Sequence, residues 1–400
     1  MKNKIIINYY TMFLGLIIFF NLQGFYLFSS SLFTDSISLI LEITFFVFVM
    51  FSGNNTTIQK SDILFIMPIV FVFTSSIMAN FDYLQPLWMG IIAQRSWVMS
   101  ILMFFPIKKI IGTKKVNSND IYKLLDKLNI VYIFLIFIQY FIGDHVTILH
   151  VLTKERYDNI RIYVTISFIM ISYFVHLVRI IERKKINFKS IFFIITPILI
   201  QFLITKSRMA VLALILVTIF LILTSQRNYR KYSLLGVATL GIVISLFTTI
   251  GKEILSLITG NNINITDDTS QIREIGREFF LRQINIDWIH KVFGAGYVNI
   301  NWGQSFFMSQ YDKGIYPADN GIFGILFYYG YFFLIYLIII YVLILIKAWE
   351  RHKEVFYFLL LGILGIFSLY PDIYMNNIAF SLVCAIVYEK REKITFERIK

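Results

Sequence analysis

The amino-acid sequence predicts an all-α polytopic membrane protein, with about twelve transmembrane helices and one large extracytoplasmic loop between helices 9 and 10. Three observations predict it. Of the 400 residues, 58% are hydrophobic and only 15% are charged, and the mean hydropathy is +0.71, whereas soluble domains are roughly a quarter charged. Isoleucine, leucine and 41 phenylalanines gather in runs of about 16 to 25 residues, the helix length that spans about 30 Å of hydrocarbon. Lysine and arginine fall between alternate runs, as they do when short cytoplasmic loops carry the positive charge.

Taken in order, the apolar runs place helices near residues 8–29, 37–52, 63–80, 88–106, 129–142, 162–180, 191–205, 209–225, 232–250, 320–346, 355–370 and 374–389. Glu42 interrupts the second, the fifth is short, and the seventh and eighth are split by Lys206, Ser207 and Arg208. Starting inside at Lys2 and Lys4, the inside segments hold Lys60, the lysines from Lys108 to Lys127, Arg183 to Lys189, Arg227 to Lys231, Lys347 to Lys353, and Lys390 to Lys400. That alternation requires an even number of crossings and puts both termini in the cytoplasm. Residues 1–250 then carry helices 1 to 9, residues 251–319 form the outer loop, and residues 320–400 carry helices 10 to 12 and a basic cytoplasmic tail.

The net charge of +13 is explained by orientation against an anionic leaflet. A nucleic-acid partner would need the basic residues gathered on one soluble face, and here they are divided among loops. The single cysteine, Cys384, lies in the last apolar run, where it forms no internal disulfide and serves packing. The amino terminus lacks a small-residue cleavage site and reads as the first membrane helix.

The outer loop is the one connection too long to be a simple link. Within it Phe279, Phe280, Leu281, Ile284, Ile286, Trp288, Ile289, Val292 and Phe293 are spaced mostly as an amphipathic helix, which predicts a folded cap flanked by polar segments. Arg273, Arg277 and Arg282 stand four and five residues apart, close to one helix face. They either pair with Glu274 and Glu278 in solvent or meet an anion.

Charges inside apolar runs need a partner or a role. Glu42 and Arg95 each fall roughly 8 to 10 Å below the outer surface at about 1.5 Å per residue. They form an ion pair, or Arg95 beside Gln94 lines an outward cavity. Lys206 and Arg208 at the outer surface either snorkel to headgroups or anchor phosphate, which a guanidinium fork binds through two oxygens. Asp319 or Asn320 is either the N-cap of the tenth helix or, in the case of Asp319, a base at the outer mouth. His145, His150 and His290 are too dispersed for a zinc spacing, and no nucleotide-binding loop or serine elbow occurs. The metal-ligand expectation is therefore none, and the substrate must arrive already activated.

The layout resembles the O-antigen ligase and Wzy-type polysaccharide polymerase superfamily, and three short motifs carry the resemblance. The first is the Ser207-Arg208 turn opening a helix. The second is an arginine followed by a glycine-aromatic turn, here Arg277 with Gly294, Gly296 and Tyr297, with Arg273 and Arg282 as rivals for the arginine. The third is Asp319-Asn320-Gly321 before a helix carrying Gly324 and Gly330. Ligases of the superfamily usually show histidine in the third motif, so aspartate and asparagine there resemble the polymerase branch.

The resemblance implies glycosyl transfer between two polyprenyl diphosphate-linked oligosaccharides on the outer face of a bacterial cytoplasmic membrane. Arg208 and Arg277 would meet the diphosphate and Asp319 would be the base. Arg95, Arg273, Arg282, Lys206 and Asn320 would bind substrate. No cofactor is implied, since the polyprenyl diphosphate is part of the substrate. A chain-length regulator and a flippase are the implied protein partners. A ligase, or a flippase for the same lipid-linked sugars, is the alternative; a flippase would show internal repeats and compact loops, and neither is apparent.

Overall fold

The computed structural model describes residues 8–29, 31–52, 59–143, 146–151, 153–156, 159–183, 187–205, 208–225, 268–299, 302, 313–367 and 378–389. The apolar runs form helices, in which each run bonds its own backbone. In chain order these are α1 (Tyr9–Asn21), α2 (Ser31–Phe51), α3 (Met67–Tyr83), α4 (Leu87–Ala93), α5 (Arg95–Leu102), α6 (Phe104–Gly112), α7 (Ser118–Ile142), α8 (Ser167–Arg183), α9 (Phe188–Leu199), α10 (Arg208–Thr224), α11 (Asp268–Ile284), α12 (Trp288–Phe293), α13 (Ile322–Arg351), α14 (Lys353–Phe367) and α15 (Ala379–Val387). Every segment expected to be helical overlaps one of them except 232–250, which lies outside the described residues.

Among the described residues three helices are long and apolar enough to cross a membrane: Leu32–Phe51, Ser61–Tyr83 and Ile322–Arg351. A fourth is gained if Leu87–Ala93 and Arg95–Gly112, bent by 53°, are counted as one span. Shorter apolar helices of 10–17 residues run over Tyr9–Asn21, Phe188–Ile204 and Ala210–Thr224. Pro197 lies inside α9, which runs into a π-turn at Ile200–Ile204, a form adopted where the regular ladder is interrupted. A two-stranded antiparallel hairpin, β1 (Thr153–Arg156) with β2 (Asn159–Ile162), pairs Thr153 with Ile162 between α7 and α8. The sequence reading did not anticipate it.

Helix α8 is the centre of the packing, with Phe168, Met170, Tyr173 and Phe174 all buried and with α7, α9 and α14 against it. Small residues permit the closest approaches, as expected where packing rather than water exclusion joins helices. A Cβ on Gly90 would stand 2.7 Å from Ser76 Oγ, across the α3/α4 contact.

Side-chain contacts sort the connections into two ends. At one end Lys108 pairs with Asp62 at 2.5 Å, Lys108 and Lys347 both lie over the Tyr388 ring, 4.4 and 4.1 Å from its centroid, and Lys353 meets Glu182 at 3.4 Å. At the other end Tyr26 Oη meets Thr165 Oγ1 at 2.9 Å, and Trp302 Nε1 donates to Tyr83 O at 2.9 Å. The first set joins segments that charge alternation puts inside, and the second joins segments it puts outside.

One expected pairing is corrected. Glu42 accepts from Asn21 Nδ2 at 2.9 Å and Ser38 Oγ at 3.3 Å, and it does not pair with Arg95. The fourth helix breaks at Gln94, so Arg95 opens α5, donates to Ile92 O at 2.8 Å and lies within electrostatic reach of Asp35. The break turns the arginine away from the position that a straight helix would give it.

Candidate functional site

Helix α11 is attached by a stripe with helical spacing: Ile272, Gly276, Phe280 and Ile284, of which the last three are buried. The stripe packs on α13 and on the 3-10 turn Pro317–Asn320 before it. Phe280 lies against Phe327 at 5.0 Å between ring centroids. Gly276 is required by Asn320, whose Nδ2 would stand 2.9 Å from an added Cβ.

At about 100° per residue, Arg273 and Arg277 are about 40° apart and border this stripe, whereas Arg282 is roughly opposite Arg273. The expectation that all three share one face is corrected: Arg282 is exposed on the far side. The Arg277 guanidinium lies 5.9 Å from the Phe323 ring at the start of α13. Among the described residues no carboxylate stands within ion-pair distance of Arg273, Arg277 or Arg282, so the pairing with Glu274 and Glu278 does not form.

The Asp319-Asn320 pair is not the N-cap of α13. That position is Gly321, with φ of 52° and no side-chain cap. Asp319 is exposed, with its backbone N–H given to Tyr316 O at 3.1 Å. Asn320 is only 3% exposed; its Nδ2 donates to Tyr316 O at 2.9 Å, and its Oδ1 has no partner among the described residues. A buried acceptor left unanswered costs about 1 to 3 kcal/mol.

The glycine-aromatic turn after α12 is pressed backbone to backbone between α3 and α13. Ala295 N donates to Phe327 O at 2.7 Å. A Cβ on Gly296 would lie 2.3 Å from Ala79 N, and one on Gly330 would lie 2.3 Å from Val292 O; both have positive φ, 93° and 72°. No residue but glycine fits either place. The Gln85 carboxamide then clasps the chain beyond, its Nε2 donating to Tyr297 O at 3.1 Å and its Oε1 accepting from Asn299 N at 2.7 Å. Tyr297 packs on Tyr328 at 4.6 Å, and Tyr329 Oη donates to Gln94 Oε1 at 2.8 Å. The second and third sequence motifs thus meet in space.

His290, set aside in the sequence for want of a metal spacing, joins this region to α3. Its Nε2 meets Asp82 Oδ2 at 2.9 Å and its Nδ1 meets Asp287 Oδ1 at 2.8 Å. Burial pushes the imidazole down, but the Asp287 hydrogen bond and the Asp82 charge outweigh it and hold the pKa above the ordinary value. Asp287 at the N-cap of α12, three residues ahead of His290, was the local signal; the Asp82 contact spans the sequence and left none. The Gln85 clasp was equally illegible.

The other candidates are not all gathered here. Arg208 opens α10, which packs on α14 rather than α13, and Lys206 and Ser207 lie outside the described residues. Arg95 stands at the helix break next to Gln94. A separate cleft of about 250 Å³ at the opposite end is lined by Glu182, Thr224, Lys353 and Tyr357 among others, and none of the candidate residues borders it.

The arrangement offers two guanidiniums for an anion, a buried carboxamide oxygen for a hydroxyl or amide donor, an exposed carboxylate and aromatic walls. Comparison of the chain with protein-family models, curated proteins and solved structures returns no match.

Proposed function

We propose that the chain polymerises polyprenyl diphosphate-linked oligosaccharide repeat units into a surface polysaccharide of capsule, O-antigen or exopolysaccharide type. The reading has about twelve spans in a bacterial cytoplasmic membrane, the ninth at 232–250, with both termini inside and α11, α12 and the Asp319 turn outside. In this reaction an acceptor-sugar hydroxyl oxygen attacks the anomeric carbon of the growing chain. The bond from that carbon to the diphosphate breaks with inversion, and the hydroxyl proton passes to the Asp319 carboxylate. Arg277 and Arg273 meet the charge that develops on the departing diphosphate.

The observation that carries this reading is the Arg273–Arg277 pair, without an acidic partner among the described residues and bordering the Asn320 turn, where an unanswered acceptor is buried. A solvated structural helix has no need of that combination. Arg208, Lys206, Arg95 and Arg282 remain in the proposal as further contacts along a long substrate. The partners are the lipid-linked oligosaccharide, a chain-length regulator and a flippase.

Reconstitution with polyprenyl diphosphate repeat units tests it. A ladder of extended products, lost in Arg277→Ala and Asp319→Ala, is expected. Transfer of finished polymer to another acceptor without extension makes the chain a ligase. Movement of substrate across the bilayer without extension makes it a flippase. Extension that survives both substitutions removes the site assignment and leaves the activity.

A further inference from the structure

Helix α3 carries one row of exposed apolar side chains, Ile66, Val70, Phe73, Ile77 and Phe81, three and four residues apart and so on one face. Its other face is packed, with Phe71, Val72, Ser75, Met78 and Ala79 buried. The row does not end with the helix. Leu84, in the left-handed C-cap, is 78% exposed, and Trp88 beyond it is 60% exposed.

The outer segment continues the same apolar edge. His290 fastens α12 to Asp82, the residue after Phe81, and Ile286 and Trp288 just ahead of His290 are 60% and 70% exposed. Phe280, Ile284, Ala295 and Val298 of this segment are buried against α13. Ile275 on α11 is also 55% exposed, but Ile286 and Trp288 are the exposed pair next to the His290 contact with α3. Tryptophan pairs an apolar ring with one N–H and favours the membrane-water interface.

We infer that the Ile286–Trp288 edge of α12 lies in the outer leaflet of the membrane that α3 crosses, with Trp88 and Trp288 at headgroup depth. The partner is a lipid surface, identified by the continuity of this edge with the lipid-facing row of α3. The outer segment is then held on the bilayer rather than above it. Arg273 and Arg277 are kept near the level at which lipid phosphates sit. The inference rests on the proposed reading of α3 as a membrane span, and its test separates the two.

Cys384 is the sole cysteine, so single spin labels can be placed in a Cys384→Ala background at Phe73→Cys, Trp288→Cys and Glu274→Cys, with the full chain in bilayers. Collisions with lipid-soluble oxygen and with a water-soluble nickel chelate give depth. The label at 73 is expected deep in hydrocarbon, that at 288 about 5 to 10 Å into the headgroup and acyl boundary, and that at 274 in water. If 73 reads as lipid while 288 matches 274, the inference fails and the span stands. If 73 reads as aqueous, the span reading fails and takes the inference with it. Shielding of 288 from both probes means a protein covers the edge, which also overturns the inference. Ile286→Cys provides the same readout should Trp288→Cys not fold.

Discussion

Two polar regions of this molecule obey the same desolvation rule with opposite results. At the α7–α8–α9 junction, Asp126 Oδ2 takes His176 Nε2 at 3.1 Å and Lys189 Nζ at 2.8 Å, and its Oδ1 takes Ser172 Oγ at 3.0 Å. His176 Nδ1 meets Ser190 Oγ at 3.0 Å, Ser190 Oγ donates to Asn187 Oδ1, and the ring stacks on Phe193. Each Asp126 oxygen and both imidazole nitrogens are answered from within the protein. At the α11–α13 mouth, Asn320 Oδ1 has no partner and Arg273 and Arg277 have no acidic partner among the described residues, Arg277 lying over the Phe323 ring. Asp126 and His176 have no valence left for a ligand, although the neighbouring Asn129, which gives Nδ2 to Ser172 Oγ, keeps an unpartnered Oδ1 among the described residues; the mouth adds donors and a wall of rings to its unanswered acceptor. The serine-histidine-aspartate sequence of contacts in the closed network is therefore structural, and the less ordered-looking cluster is the better binding site.

The largest effect expected from this contrast is on stability at the closed network. Asp126→Ala removes the anion that joins three helices and should lower unfolding free energy by about 3 to 5 kcal/mol, read by thermal or denaturant unfolding in detergent. An unchanged midpoint would mean the network is not closed. Next comes Gly330→Ala, whose methyl meets Val292 O at a positive φ; about 1 to 3 kcal/mol is expected. Gly112→Ala, with open space around it, should cost nothing measurable in the same assay.

At the open mouth the pattern should invert. Asn320→Ala removes an unanswered acceptor together with the Nδ2 bond to Tyr316 O, so the two effects largely offset and stability should move by no more than about 1 kcal/mol, while the proposed chain extension falls by about tenfold or more, the loss of one bond to a charged or transition-state group. Equal loss of stability and extension would make Asn320 a structural residue. Arg277→Ala should depress extension strongly and Arg282→Ala weakly, because they lie on opposite sides of α11; similar losses would remove the facial argument.

The smallest effect concerns the His290 pin. Its pKa is raised in the folded chain, so its contribution is complete below the unfolded value of about 6.5 and disappears as pH rises through the higher folded value. Amide protection over 287–293, taken relative to the intrinsic exchange rate at each pH, should fall across that window, and His290→Gln should abolish that fall. A flat profile in the unaltered chain would show that the imidazole does not pin α12.

Much of the helical layout was legible because hydrocarbon leaves an apolar run no alternative to internal backbone bonding, and a run of the right length is visible residue by residue. The amphipathic helix of the outer segment was legible from another local signal, the helical spacing of Phe280 and Ile284, but its break into α11 and α12 after Ile284 was not. Arg277 could be singled out as one of several cations spaced near one helix face, and Asp319 and Asn320 as polar residues at a helix start. Their neighbours could not. Gln85 reaches Tyr297 and His290 reaches Asp82 across about two hundred positions, and no local periodicity encodes such contacts.

By itself the sequence determined where most of the described helices lie and which residues warranted a chemical role, because hydropathy, helical spacing and charge are local properties. Only the tertiary structure decided who answers whom. It gave Glu42 to Asn21 and Ser38 rather than Arg95, turned Arg282 away from Arg273, and denied the α13 cap to Asp319. It also pressed the glycine turn against α3 and α13. Those outcomes depend on helix breaks at Gln94 and Gly330 and on backbone approaches of a few ångströms, which are settled only when distant segments compete for the same space.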